Sequence, residues 1–284
     1  MKTVFTSFKV RLSAVILATG LAFAGSTVSL NAAGYPLNKP AEQKWSFAGP
    51  FGHYDKAQLQ RGLKIYAEVC AACHSMNLLS YRNLADLGYS EQQIKNFAAE
   101  YEVVDGPNED GEMFERPARP NDRFKAPYAN VNEAISANNG AYPPDMSLLA
   151  KARAPERGFP TFIFDIFTMY GENGSDYLYS LLTGYQDAPD GVTVQEGLYY
   201  NPYFASGSAL AMAPPLSDDL VEFDDGTPST LDQQARDISA FLTWAADPKQ
   251  GERKQRGFIV ILFLVLFAGL LYFTKKKVWS NVAH

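Results

Sequence analysis

Cys70-Ala71-Ala72-Cys73-His74 joins the only two cysteines of the chain to one of its three histidines. In the pattern Cys-x-x-Cys-His, two thiols can add across the vinyl groups of haem while the histidine ligates the iron. A thiol–disulfide redox pair has the same cysteine spacing but needs no adjacent histidine, and it remains an alternative together with a zinc site. The segment predicts one covalently attached haem c per chain, bound through Cys70, Cys73 and His74.

The N-terminus is typical of an export signal. Three basic residues precede an apolar run over 12–24, and small residues follow at 22–24 and at 32–33. This pattern predicts a cleaved signal peptide over residues 1–33, with cleavage between 24 and 33, and disfavours an uncleaved first membrane helix. Export agrees with the haem motif, because covalent haem attachment and exported domains go together.

A second apolar run, residues 257–274, holds 18 residues without a charge and is followed by three lysines. At 1.5 Å per residue it spans roughly 27 Å as a helix, about the thickness of the hydrocarbon core. We therefore expect one transmembrane anchor, with an exported domain over 34–256 and a cytoplasmic tail over 275–284. Basic residues also flank the outer end, so this orientation depends mainly on the export signal and the haem motif.

The exported segment is strongly acidic. The formal charge of the chain is −6 and the two terminal segments carry +3 each, so residues 34–256 carry −12. Two clusters contain much of this negative charge: seven acids and no base between Glu100 and Glu115, and five acids between Asp218 and Asp225. Such a field disfavours nucleic acid and anionic lipid as partners. It favours either a cationic partner that docks by steered diffusion or simple solubility.

Helical patterns dominate the exported segment. Apolar residues recur at helical spacing from Asp55 to Cys73, which predicts a helix with both thiols on its buried stripe. Ser90 with Gln93 and Thr230 with Gln233 have the spacing of capping boxes and predict two further helices, the second of which stops at Asp247-Pro248. Shorter helices are expected over 132–137 and 175–183. Long stretches rich in Gly, Pro, Asn and Asp separate them, and short strands are expected only near 197–203 and 220–223.

The second axial ligand of the iron is left open by spacing alone. Met146 and Met212 each stand beside prolines that could stiffen a loop and hold a thioether at the iron. Met169 lies in a hydrophobic run, where methionine usually packs. His53 would give bis-histidine ligation, and Met113 also remains open, whereas Met76 lies too close to His74 to reach across the ring.

Eight stretches, taken in order along the chain, closely resemble the cytochrome c1 family: Val69–Met76, Val103–Phe114, Arg116-Pro117, Ala137–Asp145, Ser180–Tyr185, Glu196–Phe204, Ala211–Leu216 and Glu222–Pro228. The resemblance implies a mainly α, cytochrome-c-like haem domain with long irregular loops, few short strands and one C-terminal transmembrane helix. It also implies that Met212 is the axial ligand, that Met146 packs beside the haem, and that Arg116 lies near a haem propionate.

The resemblance also implies a function and a location. The expected protein is the electron-transfer subunit of the cytochrome bc1 complex, with cytochrome b and the Rieske iron–sulfur protein as partner subunits and a c-type cytochrome as acceptor. It would catalyse nothing alone, because quinol oxidation belongs to the complex. We expect a bacterial inner membrane, with the haem domain on the periplasmic side. The alternatives are a free-standing membrane-anchored cytochrome c and a thiol oxidoreductase.

Two features depart from the family pattern. Asp122-Arg123-Phe124 stands where the family often has Asp-Tyr-Phe, which affects the side chains expected near the propionates. Residues 152–174 resemble an insertion relative to shorter members, and its apolar stretch 159–170 could cover either the core or a neighbouring subunit.

Overall fold

Helix α1 (Lys56–Glu68) leads into the Cys-x-x-Cys-His segment and begins where the sequence predicts. Asp55 Oδ1 caps it by accepting the N–H groups of Ala57 and Gln58 at 2.9 and 3.3 Å. The computed structural model describes residues 38–156, 158–168 and 171–281. The predicted signal peptide and Met169 lie outside this part of the chain.

The described residues are mainly helical, as expected. Helix α2 (Glu91–Ala99) has the predicted capping box, because Gln93 N donates to Ser90 Oγ at 3.3 Å and Ser90 N donates to Gln93 Oε1 at 2.9 Å. The other α-helices are α3 (Val131–Ala137), α4 (Leu149–Ala152), α5 (Thr161–Thr168), α6 (Asn173–Thr183), α7 (Leu231–Ala246) and α8 (Gln250–Val278), with 3₁₀ turns at Cys70–Ala72 and Tyr81–Leu87.

The strands only partly follow the prediction. A two-residue pair, β3 (Tyr199–Tyr200) with β4 (Ala209–Leu210), falls partly within the expected region. The prediction at 220–223 is wrong: Val221 and Phe223 are buried, but this segment forms no strand. Conversely, β1 (Glu102–Asp105) and β2 (Phe114–Pro117) form an antiparallel hairpin where no strand was predicted. Their side chains are exposed or half-buried, so no apolar alternation indicated them.

The core lies where α1 crosses α7. A Cβ at Gly62 would be 2.4 Å from the Asp237 carbonyl oxygen and 2.5 Å from Phe241 Cβ, so only glycine allows this close approach. Arg61 forms a bidentate ion pair with the fully buried Asp237 of α7. Helices α4 and α6 pack against α7 from another side. The crossing fixes the end of α1, and therefore the haem-binding motif that follows it.

Within the described residues, α8 is the one helix long and apolar enough to cross a membrane. It contains the predicted anchor 257–274 and extends beyond it at both ends, so the flanking basic residues are helical as well. Only residues 247–249 connect α7 to α8. Asp247 holds this connection by pairing with Arg253 Nη2 at 2.6 Å and with Lys151 Nζ at 3.4 Å.

Candidate haem site

The two cysteines lie at the C-terminal end of α1, in a tighter turn than predicted. Cys73 N and His74 N both donate to the Cys70 carbonyl, at 3.1 and 2.9 Å, and residues 70–72 form a 3₁₀ turn. The predicted burial of both thiols is wrong, because Cys70 is half-buried and Cys73 is exposed. A 3₁₀ turn has three residues per turn, so side chains at i and i+3 eclipse. Both thiols therefore stand on one edge of the turn, one above the other.

His74 is oriented by a backbone carbonyl distant in sequence. Its Nδ1 lies 2.8 Å from the Pro144 carbonyl oxygen, which can only accept, so Nδ1 carries the proton. The ring is 9% exposed. Burial lowers the pKa of His74, although the Pro144 carbonyl and the Asp145 carboxylate oppose the shift. The result is a neutral imidazole whose Nε2 lone pair is available to a metal.

Asp145 holds the loop that orients His74. Its carboxylate accepts hydrogen bonds from Ser75 Oγ, Asn77 N and Ser147 N, each at 2.8 Å. Burial alone would raise the pKa of Asp145, but these donors outweigh it and hold the pKa below its usual value. The carboxylate thus ties the segment after His74 to the loop that carries the Pro144 carbonyl.

Met212 is placed by a strand and a tyrosine. It follows β4 by two residues and precedes Pro214-Pro215, and Tyr185 Oη donates to its backbone carbonyl at 3.0 Å. The side chain is half-buried. Met146, by contrast, is 7% exposed within the apolar core. Met146 therefore packs in the core, and ligation of the iron by Met212 stays a prediction.

The remaining ligand candidates lie in less suitable surroundings. Met76 is fully buried in the core, whereas Met113 is 61% exposed. His53 lies on the surface, which gives no support to bis-histidine ligation. Met169 lies outside the described residues.

Arg116 is engaged by carboxylates. Its Nη1 and Nη2 bind Asp122 at 2.6 and 3.1 Å, its Nε donates to Asp105, and Nη1 also donates to the Pro117 carbonyl at 3.0 Å. The first of these partners belongs to the Asp122-Arg123-Phe124 stretch that departs from the family pattern. A propionate contact through Arg116 stays a prediction, and it would have to use the remaining N–H or displace a carboxylate.

The residues fit a covalent haem better than the two alternatives. Burial raises the pKa of Cys70 to about 12, with a further contribution from Cys73, whereas a redox-active cysteine usually has a lowered pKa. The pair also follows the C-terminal end of a helix, whereas a helix N-terminus is what lowers a cysteine pKa. No group of three or more His, Cys, Asp and Glu side chains within the described residues could hold zinc. Two unpaired thiols, a neutral imidazole and a half-buried thioether match the donors of haem c.

Sequence reasoning missed the residues that orient the site. Pro144, Asp145 and Tyr185 all lie within stretches quoted for the resemblance, but no role was derived for them. Their partners are 70, 70 and 27 residues away along the chain. The proline-rich composition around Met146 and Met212 indicated stiff loops, and nothing in it indicated which group each loop would hold.

Comparisons with known proteins point to one family. A model described as the Cytochrome C1 family matches residues 45–282. The chain is 51% identical over 270 residues to cytochrome b/c1 of Bradyrhizobium diazoefficiens, covering 94% of this chain but 39% of that protein. It is 44% identical to cytochrome c1 of Blastochloris viridis, covering 94% of this chain and 96% of the relative. It is also 40% identical to the mitochondrial cytochrome c1 haem protein of Saccharomyces cerevisiae, covering 89% and 76%.

Proposed function

This chain belongs to the cytochrome c1 family, the haem-carrying electron-transfer subunit of the cytochrome bc1 complex, and we propose that it relays single electrons from the Rieske iron–sulfur protein to a c-type cytochrome. Cytochrome b is the other proposed partner subunit. The haem domain lies on the periplasmic side of a bacterial inner membrane in this proposal. The supporting arguments are the export signal, the haem motif and the lysines that follow the apolar span.

The family carries one covalently bound haem c, which supplies reversible one-electron chemistry when bound. We assign its attachment to Cys70 and Cys73 and its axial ligation to His74 and Met212. The Pro144 carbonyl and the Asp145 loop hold the imidazole, and Tyr185 holds the backbone at Met212. Because these contacts preset both ligands, little reorganisation should accompany electron transfer.

The attachment gives the first prediction. Cys70→Ala should leave a single thioether, because only Cys73 can then add to a vinyl group. The alkaline pyridine haemochrome band should shift to longer wavelength, since the unreacted vinyl extends the conjugation of the ring. Cys73→Ala is the matched control and should give the same shift. An unchanged band in either variant would contradict the assignment.

The short connection between α7 and α8 is the observation that favours a complex subunit over a free-standing carrier. A tethered carrier needs a flexible linker in order to reach separate donors and acceptors. Here three residues join the haem domain to the anchor, and Arg253 and Lys151 pair with Asp247 within or beside that connection. Lys254 Nζ also donates to the Phe47 carbonyl at 2.6 Å. In this proposal the haem domain is held in place relative to the anchor, so its electron donor and acceptor must move to it.

Copurification tests this function. An affinity tag on the C-terminal tail, followed by mild detergent solubilisation, should recover this chain together with a membrane-bound b-type cytochrome and an iron–sulfur protein. Difference spectra of the purified sample should show both b-type and c-type bands. Recovery of the c-type band alone, from a membrane that retains its b-type cytochromes, would favour the free-standing carrier.

We propose that the two acidic clusters guide a cationic c-type cytochrome to the haem domain. The structure indicates which acids can be neutralised to test this. Asp105, Asp224 and Asp225 already pair with Arg116, Lys64 and Arg61, so neutralising them would change intramolecular ion pairs as well as the surface charge. The residues to change are the exposed Glu109, Asp110 and Glu112 in one cluster, and Asp219 and Glu222 in the other. Asp219 has φ of 58° and should become asparagine, which tolerates that conformation.

We expect these charge-neutral variants to slow electron transfer to a basic cytochrome c. Exposed charges that are more than about 8 Å apart are largely screened from each other at roughly 0.15 M salt. The rate of electron transfer from the unmodified protein should therefore fall as the salt concentration rises. The variants should flatten that dependence and leave the haem potential nearly unchanged. Stopped-flow measurements at several ionic strengths will show which cluster faces the acceptor. A rate of the unmodified protein that is flat with salt would contradict electrostatic docking. It would mean that the acids serve solubility alone, or that the acceptor docks through apolar contacts or is itself tethered to the membrane.

A further inference from the structure

The loop over residues 46–53 lies beside the outer end of the anchor. Trp45 and Phe47 fix it to the core, since they expose 7% and 0% of their surface. Its turn is closed by hydrogen bonds from Ala48 N to the Trp45 carbonyl, at 3.1 Å, and from His53 N to the Ser46 carbonyl, at 3.0 Å. A rigid base of this kind fixes the direction in which the tip of the loop projects.

The tip presents an aromatic side chain to the outside. Phe51 is 79% exposed, although its neighbours at the base of the loop are buried. Its ring centroid lies 6.0 Å from that of Phe258, in an edge-to-face arrangement. Phe258 is the second residue of the uncharged span 257–274. The side chain of Phe51 therefore stands at the depth where the anchor enters the membrane.

The loop follows the anchor over one helical turn. Lys254 contacts the Phe47 carbonyl, and Phe258, four residues further along the same helix face, contacts Phe51. These two contacts are about 6 Å apart along the helix axis, because each of the four residues adds roughly 1.5 Å. The loop thus descends toward the membrane from Phe47 to Phe51. Three basic side chains are exposed at this level, Lys249, Arg253 and Arg256, and each also pairs with the carboxylate of Glu252 or Asp247.

We propose that Phe51 inserts into the outer lipid leaflet, at the boundary between headgroups and acyl chains, and forms a second membrane contact of the haem domain. An aromatic ring beside cationic side chains is the usual composition of such an interface. With the anchor as the first contact, this second one prevents the domain from tilting and fixes the height of the haem above the membrane. The inference rests on the proposed membrane anchoring.

Photocrosslinking in the assembled complex tests this contact. Phe51 is replaced by a benzophenone amino acid, and the complex is reconstituted into nanodiscs of phosphatidylcholine and phosphatidylglycerol. Because Phe51 is exposed, the probe should leave the core intact. After irradiation, mass spectrometry of the peptide containing residue 51 should find lipid adducts. Adducts with another subunit alone, or no adduct, would overturn the proposal.

Two further probe positions make the result specific. Phe263 lies within the apolar span and is 62% exposed, so the same probe there should also give lipid adducts. Met113 is 61% exposed but lies in the acidic connection between β1 and β2, which anionic lipid repels, and it should give few. Equal yields at residues 51 and 113 would overturn the insertion of Phe51. A missing lipid adduct at residue 263 would instead refute the anchoring on which the inference rests.

Discussion

Replacement of Met212 by lysine or histidine is expected to lower the midpoint potential of the haem by at least about 0.1 V, within an axial-ligand range that spans roughly 0.8 V. A thioether stabilises the ferrous state, whereas an amine or a second imidazole is a harder donor that favours the ferric state. Redox titration of the purified complex, followed in the c-type α band, measures the change.

Met146→Leu is the control for this prediction. Met146 is 7% exposed in the apolar core, and leucine has nearly the same volume, so the substitution should cost less than about 1.5 kcal/mol of stability. Its effect on the potential should be small. A large drop for Met146→Leu, together with a small one for Met212→Lys, would mean that the sixth ligand comes from the loop that also holds His74.

Local signals in the sequence predicted the helices well. Asp55, Ser90 and Thr230 each cap a helix as expected, because an N-cap depends only on residues within the next turn. The Thr230 cap also shows the limit of such reasoning. Gln233 N donates to Thr230 Oγ1, but the Gln233 side chain binds Asp237 at 2.8 Å instead of closing a capping box. The Gln233 side chain binds Asp237, one helical turn further on, in preference to the backbone N–H of Thr230.

Sequence patterns and the family resemblance named candidate ligands, but not the groups that orient them. Cys70, Cys73 and His74 follow from a five-residue motif, and Met212 and Arg116 followed only from the family resemblance. The Pro144 contact to His74 joins residues 70 positions apart, and the spacing of apolar residues along the sequence does not indicate such a pair. The 3₁₀ turn was missed for a related reason: the apolar spacing through Cys73 is helical, but hydrogen bonds to the Cys70 carbonyl tighten the end of the helix.

Arg61→Met is expected to destabilise the haem domain by roughly 3–5 kcal/mol, because it leaves the buried carboxylate of Asp237 without its cation. Asp237 is 0% exposed and accepts Arg61 Nε at 2.7 Å and Nη2 at 3.2 Å. In the variant, only the Gln233 amide would remain as its partner. The effect should reach the haem segment, since Cys70 follows α1 after a single intervening residue. Urea unfolding followed by tryptophan fluorescence measures the loss, because unfolding separates Trp244 from the haem quencher.

Two variants decide whether the buried charge is the cause. Lys64→Met removes a neighbouring cation of α1 whose partner, Asp224, is 90% exposed, and it should cost less than about 1 kcal/mol. The double variant Arg61→Met/Asp237→Leu removes both the buried carboxylate and its cation, and only the exposed Asp225 then loses its Arg61 partner. It should recover most of the stability, since replacing a buried pair by apolar side chains is often neutral. If the double variant were as unstable as Arg61→Met alone, the loss would come from packing at the crossing of α1 and α7, where Gly62 already leaves no room for a Cβ.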